Sequence, residues 1–332
     1  MTSATSRTQS PKPVPPGVEY HRVLAGEERR IGRGLLAILL LVGGMFGAIQ
    51  VFYLLAVWIE GLIGIEPQML TPLTFGAGVA ATALLIPWSM LIQRRLYGVR
   101  GPSLHSVVSR FRFDLFGRAL AVVVPLFVTA VAVTEYLEPR ATAVWSHGDL
   151  IAWFVVVVLL VPLQAAGEEY GLRGLVFRVA GSWVHGRWAS LILGIVVSGA
   201  VFAVIHTAGG PWWNVFYVIF AVSTALVTWR TGGVEVAVVM HGVYNVMTFT
   251  FWFILHADLT DRFDRSAGAV TPALLIPSSL VFIAIVVIVW IRTRRTGPAK
   301  TPAAGVRHPE GSGPTAGAGS EQRRSFDTVA TT

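Results

Sequence analysis

The chain has 332 residues, of which 54% are apolar and only 13% charged, with a net charge of +8 and no cysteine. Soluble domains carry roughly 45–50% apolar and about 25% charged residues, and the apolar blocks here are too long for the core elements of a soluble protein. This composition excludes a soluble enzyme, a disordered chain, a disulfide-stapled secreted module and any thiol-based site. It predicts an integral membrane protein with an all-α, polytopic helix-bundle fold.

Eight apolar segments are long enough to cross a bilayer, which takes about 20 residues. In chain order they cover residues 34–58, 71–93, 116–134, 150–178, 189–207, 212–229, 233–255 and 273–291. The fourth segment is long and carries charges in its second half, so we expect it to tilt, break or leave the bilayer. The helix-breaking sequence Ala-Gly-Gly-Pro at residues 208–211 separates the fifth segment from the sixth.

The positive charges support this count. With the N-terminus in the cytoplasm, all but three of the 26 Lys and Arg residues fall on the cytoplasmic side, where such residues concentrate. The three exceptions are Arg140, Arg262 and Arg265. We therefore predict that both termini are cytoplasmic and that a bacterial cell would carry this protein in its cell membrane. Charged residues near the cytoplasmic span ends are expected to be ordinary interfacial residues; they are Asp114, Arg118 and Glu235.

Composition predicts three regions. Residues 1–30, which contain Pro-Lys-Pro-Val-Pro-Pro-Gly, are expected to form a disordered cytoplasmic N-terminus. Residues 31–293 are expected to form the transmembrane bundle, with a motif-bearing core at residues 150–250. Residues 294–332, which are rich in Gly, Pro, Ala, Ser and Thr, are expected to form a disordered cytoplasmic tail.

Polar side chains inside apolar spans are costly and mark functional sites. They cluster on three spans: Glu168, Glu169 and Arg173 on the fourth, His206 one helical turn after Phe202 on the fifth, and His241 and Asn245 on the seventh. Glu169 and Arg173 are four residues apart, so they share a helix face and can form an ion pair. Glu168 is rotated by about 100° from Glu169, so the same arginine cannot easily serve both. Glu168 is therefore left in a low-dielectric site, as suits a general base acting on water.

Other protease chemistries lack their residues. The segment nearest to a serine element, Val196-Val197-Ser198-Gly199, lacks the leading glycine, and no span interior contains an aspartate. The His-Glu-x-x-His zinc motif is also absent. What remains is a carboxylate and a histidine to activate water, with neutral donors on His241 and Asn245 to hold a tetrahedral intermediate.

The three clusters resemble the motifs of the CAAX protease and bacteriocin-processing family, which includes the type II CAAX prenyl endopeptidases. Glu168-Glu169-Tyr-Gly-Leu-Arg173 is similar to the EExxxR motif, Phe202-Ala-Val-Ile-His206 to FxxxH, and His241-Gly-Val-Tyr-Asn245 to HxxxN, in the family's order. The resemblance implies an eight-helix intramembrane glutamic endopeptidase that acts on a peptide or membrane-protein substrate in the lipid bilayer, with no nucleic-acid partner. It also implies a role for each residue: Glu168 and His206 activate water, His241 and Asn245 form the oxyanion site, and Glu169, Arg173 and Phe202 support them.

Three other functions stay open. The same residues could hold zinc in a metalloprotease, with His206, His241 and Glu168 as ligands, although Asn245 is a poor zinc ligand. Without zinc, no cofactor is expected. A non-catalytic scaffold or bacteriocin-immunity protein could keep the fold, but the complete motifs argue against it. A proton-coupled transporter would need polar residues through several spans, and most spans carry none.

The depths of the two histidines add one structural condition. His206 lies far along the fifth span from Arg187, whereas His241 lies close to Arg230 at the start of the seventh. A shared site therefore requires the fifth helix to start deep, tilt or kink.

Overall fold

The computed structural model describes residues 12–26, 30–65, 70–139, 141–264, 266 and 271–303. This part of the chain contains helices, turns and isolated β-bridges but no strands. Eight helical segments are long and apolar enough to span a membrane, which confirms the predicted fold. They are α1 (Ile31–Leu62), α2 with α3 (Pro72–Ala83, Leu85–Tyr97), α4 (Phe113–Leu137), the compound span His147–Gly181, α8 (Arg187–Ile205), α9 (Pro211–Thr231), α10 (Glu235–Ile254) and α12 (Pro272–Thr293).

The outer faces of these helices are apolar, as contact with lipid requires. Leu39 and Val51 on α1, for example, are 69% and 63% exposed. A short helix, α11 (Leu259–Arg262), lies between α10 and α12. The chain is therefore an integral, multi-pass membrane protein.

Two of the eight spans are broken. The second breaks at Leu84, three residues before Pro87, which has no N–H to donate to the preceding turn. The fourth, which we expected to tilt, break or leave the bilayer, does break. It consists of α5 (His147–Leu159), α6 (Val161–Glu169), a π-helical turn (Tyr170–Val176) and α7 (Phe177–Gly181).

The helix α6 packs between α2 and α10. A glycine permits the contact with α2, because a Cβ atom at Gly167 would lie 2.3 Å from the carbonyl oxygen of Thr82. On the side of α10, Gly242 faces Ala165 and Pro162 at ordinary contact distance. Small residues thus hold α6 close to both neighbours.

Two segments near the chain ends pack against one end of the bundle, which we call the terminal face. Residues 12–26 include a 3-10 turn, Tyr20–Arg22, and bury the side chain of Glu19. Thr301 donates its backbone N–H to the carbonyl of Val18 at 2.9 Å, so this segment pairs with the one that follows α12. Both segments lie on the same face, as an even number of spans requires.

Within the two regions predicted to be disordered, residues 1–30 and 294–332, the structure describes residues 12–26, 30 and 294–303, and residues 12–26 are packed against the bundle. The remainder, residues 1–11, 27–29 and 304–332, lies outside the described residues. Composition favours disorder where apolar side chains are few. These segments are instead held by hydrogen bonds and ion pairs to distant helices, which composition does not reveal.

Glu19 is the main link between the terminal segments and the bundle. Its Oε1 accepts hydrogen bonds from Nε of Arg187 at 2.7 Å and lies 2.6 Å from Nη2 of the same residue, and its Oε2 accepts from Nε1 of Trp229 at 2.9 Å. Burial alone would raise the pKa of Glu19, but these hydrogen bonds outweigh it and lower the pKa below 4.5. The ring of Tyr20 lies 3.8 Å from the guanidinium carbon of Arg178. The N-terminal segment therefore ties α7, α8 and α9 together.

Candidate active site

Two adjacent glutamates end α6 and meet different partners. Glu169 is fully buried, and its Oε1 lies 3.3 Å from Nη1 of Arg173, so the predicted ion pair is present. The guanidinium carbon of Arg173 also lies 4.7 Å from the ring centre of Phe202 and 5.3 Å from that of Phe220. These cation–π contacts stabilise a buried charge that has left water. The π-helical turn starts directly after Glu169, and such turns are rare and frequent at functional sites.

His241 on α10 lies between the two glutamates. Its Nδ1 donates to Oε1 of Glu169 at 2.9 Å, and its Nε2 lies 3.9 Å from Oε2 of Glu168. The second distance is too long for a direct hydrogen bond and suits a group held between the two atoms. The rings of Phe220 and Phe202 meet the imidazole edge-on, with centroids 4.7 and 6.3 Å away. The carboxylate and the two rings together fix the orientation of the imidazole.

A glutamine joins the first and third motifs. Gln164 donates from Nε2 to Oε1 of Glu168 at 2.5 Å, and its Oε1 accepts from Nδ2 of Asn245 at 3.3 Å. The sequence interpretation did not include Gln164, because it is neutral and stands outside the three motifs. One signal was available: Gln164 lies one helical turn before Glu168, on the same face of an otherwise apolar turn.

The second oxygen of Glu168 is one of several buried polar atoms of the site that lack a hydrogen-bond partner among the described residues, together with Oε2 of Glu169 and the guanidinium nitrogens of Arg173. Oε2 of Glu168 is buried and has no hydrogen-bond partner within the described part of the chain. Glu168 also lines a cavity of about 10 Å³, close to the volume that one water requires. The other walls of this cavity are apolar: Leu41, Val42, Met45, Leu85, Leu172 and Ile205. The Glu168 side chain thus borders a small apolar cavity as well as His241.

His206 caps the C-terminal end of α8. Its Nδ1 donates to the carbonyl of Phe202 at 2.7 Å, and its ring contacts those of Phe202 and Tyr217 at 4.3 and 4.8 Å between centroids. Direct polar contacts link the residues of the first and third motifs, and the ring of Phe202 contacts both His206 and His241. The following residue, Thr207, has a φ of 45°, which is unusual for a β-branched residue and ends the helix.

The predicted difference in depth is resolved by the course of α8. Near its start, Trp188 contacts Trp229 with ring centroids 5.9 Å apart, at the level where α10 begins. Farther along α8, Phe202 meets His241. The α8 segment between Trp188 and Phe202 is roughly 21 Å long at 1.5 Å per residue, whereas His241 lies only about 9 Å into α10. The helix α8 therefore runs obliquely to α10, as a shared site requires.

The described residues do not form a three-ligand zinc site. Among them, no three His, Cys, Asp or Glu side chains are grouped so that they could hold a metal ion. Nδ1 of His241 is bonded to Glu169, and Nε2 is separated from Glu168 by 3.9 Å. The arrangement instead joins the two glutamates, the imidazole of His241 and the amides of Gln164 and Asn245 in one polar cluster.

Comparison with known families bears on the resemblance noted in the sequence. The family described as type II CAAX prenyl endopeptidase Rce1-like matches residues 148–247, and this stretch contains all three motifs. The chain carries a domain of the CAAX protease and bacteriocin-processing family. No curated protein and no solved structure matches the chain. This family domain, set in eight spanning helices, is that of a CAAX-type membrane protease.

Proposed function

We propose that this CAAX-type membrane protease is an intramembrane endopeptidase that uses a water molecule activated by Glu168 and His206. One observation carries the proposal: Oε2 of Glu168 is buried, has no hydrogen-bond partner among the described residues and lies 3.9 Å from Nε2 of His241. A buried, unsatisfied oxygen costs free energy. Function explains why such an atom is kept.

In the proposed reaction, Glu168 takes a proton from water, and the resulting hydroxide attacks the carbonyl carbon of the scissile peptide bond. Asn245 and His241 stabilise the oxyanion of the tetrahedral intermediate, His241 as the imidazolium, since its Nδ1 already donates to Glu169. The C–N bond then breaks, and the proton held by Glu168 passes to the leaving amine with the help of His206. The products are a carboxylic acid and an amine, so one water is consumed for each bond cleaved.

The supporting residues have a separate part in this scheme. Glu169 and Arg173 neutralise each other and orient His241, so that Glu168 is the carboxylate left for water. Phe202 packs against Arg173, His206 and His241 and keeps bulk water from them. The substrate is a peptide or a membrane protein presented within the bilayer. Since Lys and Arg concentrate on the terminal face, we also infer that this face is cytoplasmic.

The test is the substitution Glu168→Gln, which keeps the size of the side chain and removes its basic oxygen. We expect cleavage to fall by at least roughly 10⁴-fold, as for the loss of an essential catalytic group. The measurement is a proteomic comparison of membranes that contain the wild type or Glu168→Gln, in search of a peptide that is no longer trimmed. Full activity of a folded Glu168→Gln protein would refute the glutamate mechanism.

A matched control is Glu60→Gln. Glu60 is another buried glutamate, bonded to Thr71 and located outside the site, so its substitution should leave cleavage intact.

The same assay distinguishes the zinc-dependent alternative from the reaction proposed here. Loss of activity on chelation, with recovery on added zinc and stoichiometric bound metal, would favour the metalloprotease over the reaction proposed here.

A further inference from the structure

We propose that Gln164 is a positioning residue that couples the proposed base, Glu168, to the proposed oxyanion donor, Asn245. The inference rests on the proposed function and adds to it a connection between the first and third motifs. Gln164 lies outside both motifs, and its amide is the only described group that bonds to both side chains.

The local fold sets the place of this glutamine. The helix α6 starts again after the break at Leu160, and Gln164 donates its backbone N–H to the Leu160 carbonyl at 2.9 Å. This first turn puts the Gln164 side chain on the face of Glu168 and, across the contact with α10, beside Asn245. The amide thus spans the gap between two helices.

The chemistry of a primary amide then fixes the direction of both bonds. One end of the amide donates and the other accepts. A carboxylate only accepts, so Glu168 requires the N–H end, and the oxygen of Gln164 is turned to Asn245. Asn245 must therefore donate from its own amide nitrogen, and its Nδ2 points into the site.

The same bonds select the reactive oxygen of Glu168. Gln164 occupies Oε1, whereas Oε2 has no partner within the described residues and lies 3.9 Å from Nε2 of His241. Gln164 therefore directs water to Oε2. When Glu168 takes a proton during the reaction, the hydrogen bond that it accepts from the Gln164 N–H weakens. The Gln164 amide transmits this change to its hydrogen bond with Asn245.

The test uses Gln164→Met, which keeps the length of the side chain and removes both hydrogen bonds. We expect kcat to fall roughly 10- to 100-fold, the worth of a hydrogen bond to a charged group, while KM stays within about 2-fold. The substrate is a membrane-inserted peptide whose sequence is taken from the comparison of wild-type and Glu168→Gln membranes.

Gln93→Met is the matched control. Gln93 is a second buried glutamine, which donates to the carbonyl of Arg100 at 3.0 Å and to Oγ of Ser103 at 2.9 Å, away from the site. Its loss should lower the thermal stability and leave kcat unchanged. A structural role for Gln164 would give the pattern of Gln93→Met.

Gln164→Glu supplies a second, independent readout. The carboxylate that this substitution introduces still accepts the hydrogen bond from Asn245. It can donate a hydrogen bond to Glu168 only while the two carboxylates share a proton. We expect a descending limb at alkaline pH in the kcat profile, absent from the wild type and from Gln164→Met. If Gln164→Met does not fold, the pH profile of Gln164→Glu alone tests the inference.

Three results would overturn the inference: an unchanged kcat in folded Gln164→Met, a rise in KM alone, or a Gln164→Glu profile identical to that of the wild type. Glu168→Gln, measured in parallel, distinguishes a failure of the proposed role of Gln164 from a failure of the proposed function. If Glu168→Gln is inactive and Gln164→Met is fully active, only the role of Gln164 is refuted. If Glu168→Gln is active, the proposed function itself is refuted.

Discussion

Glu168 and Glu169 are adjacent in the chain but are placed in opposite surroundings. Glu169 meets a guanidinium and an imidazole, and both of its neighbours can compensate a negative charge. Glu168 meets the neutral amide of Gln164 and a cavity whose remaining walls are apolar. The two side chains diverge because neighbouring residues of a helix are rotated by about 100° from each other. Two carboxylates on one turn of helix can thus serve different purposes.

At this scale we predict the effect of Asn245→Ala. If the amide of Asn245 holds the oxyanion, kcat should fall by roughly 10²–10³ with little change in KM, since the contact forms fully only in the transition state. Initial rates over a range of substrate concentrations measure both constants. Asn214→Ala is the control: Asn214 donates only to loop carbonyls at Ala208 and Gly210 among its described contacts, so catalysis should be unaffected. An effect of Asn245→Ala on KM alone would contradict the assigned role.

Contacts of the site between residues close in sequence can be predicted from the sequence, whereas contacts between residues far apart in sequence cannot. The ion pair of Glu169 with Arg173 follows from their spacing of one helical turn. Glu235 shows the limit. It is expected at the lipid interface, yet it is fully buried and paired with Arg112 at 2.8 Å. That contact joins residues more than a hundred positions apart, and no local pattern reports it.

At the scale of elements, the spans were predicted to within a few residues because the thickness of the hydrocarbon layer sets their length. The breaks were predicted less well. Pro87 gives a local reason for the break in the second span, but the π-helical turn and the packing of α6 depend on neighbours that are distant in sequence. The position of Glu168 relative to α2 is therefore a property of the folded bundle.

We predict that Gly167→Ala disrupts this position. A methyl group there would lie 2.3 Å from a backbone oxygen of α2, so α6 must move away and carry Glu168 with it. We expect a loss of about 1–3 kcal/mol in stability, which is typical of overpacking. We also expect kcat to fall by at least roughly 10-fold, because a catalytic group misplaced by 1 Å costs about 10²-fold. Thermal unfolding in detergent and the peptide assay measure the two effects.

Gly47→Ala in α1 is the comparison for that change. A Cβ atom at Gly47 meets nothing within 4 Å, so the variant should gain up to about 1 kcal/mol from helix propensity and keep full activity. Equal behaviour of the two alanine variants would mean that the close contact of α2 with α6 does not position the site.

At the scale of the whole molecule, the terminal segments connect parts of the chain that the bundle alone keeps apart. Residues 12–26 contact α7 through Tyr20, α8 through Glu19, and the segment after α12 through Val18. Two groups that titrate are buried in this contact, His21 and Glu19. The docking of the N-terminal segment should therefore depend on pH.

Burial lowers the pKa of His21 to about 4 from its ordinary 6.5, against the opposing effect of nearby Glu19. The undocked segment then binds more protons than the docked one between about pH 6.5 and pH 4, so docking weakens as the pH falls through this window. The lowered pKa of Glu19 acts in the same direction, because its contribution is lost as the pH falls through its folded value. Together the two groups predict an acid-labile contact.

The measurement is amide hydrogen exchange of the segment around Tyr20 at pH 7 and pH 5, corrected for the intrinsic rates. We expect lower protection at pH 5 in the wild type, and a reduced difference in His21→Phe, which keeps an aromatic ring beside Phe177. His147→Phe, at an exposed position of α5, should behave like the wild type. Equal protection of the wild type at both pH values would exclude the effect.

The bond between Val18 and Thr301 also orders events during biogenesis. Thr301 is made after α12, so its bond with Val18 can form only once all eight described spans have been synthesised. A nascent chain halted before this point would contain all three motifs but not the pairing of the two terminal segments. The pairing of the two terminal segments can thus form only after all the described spans have been made.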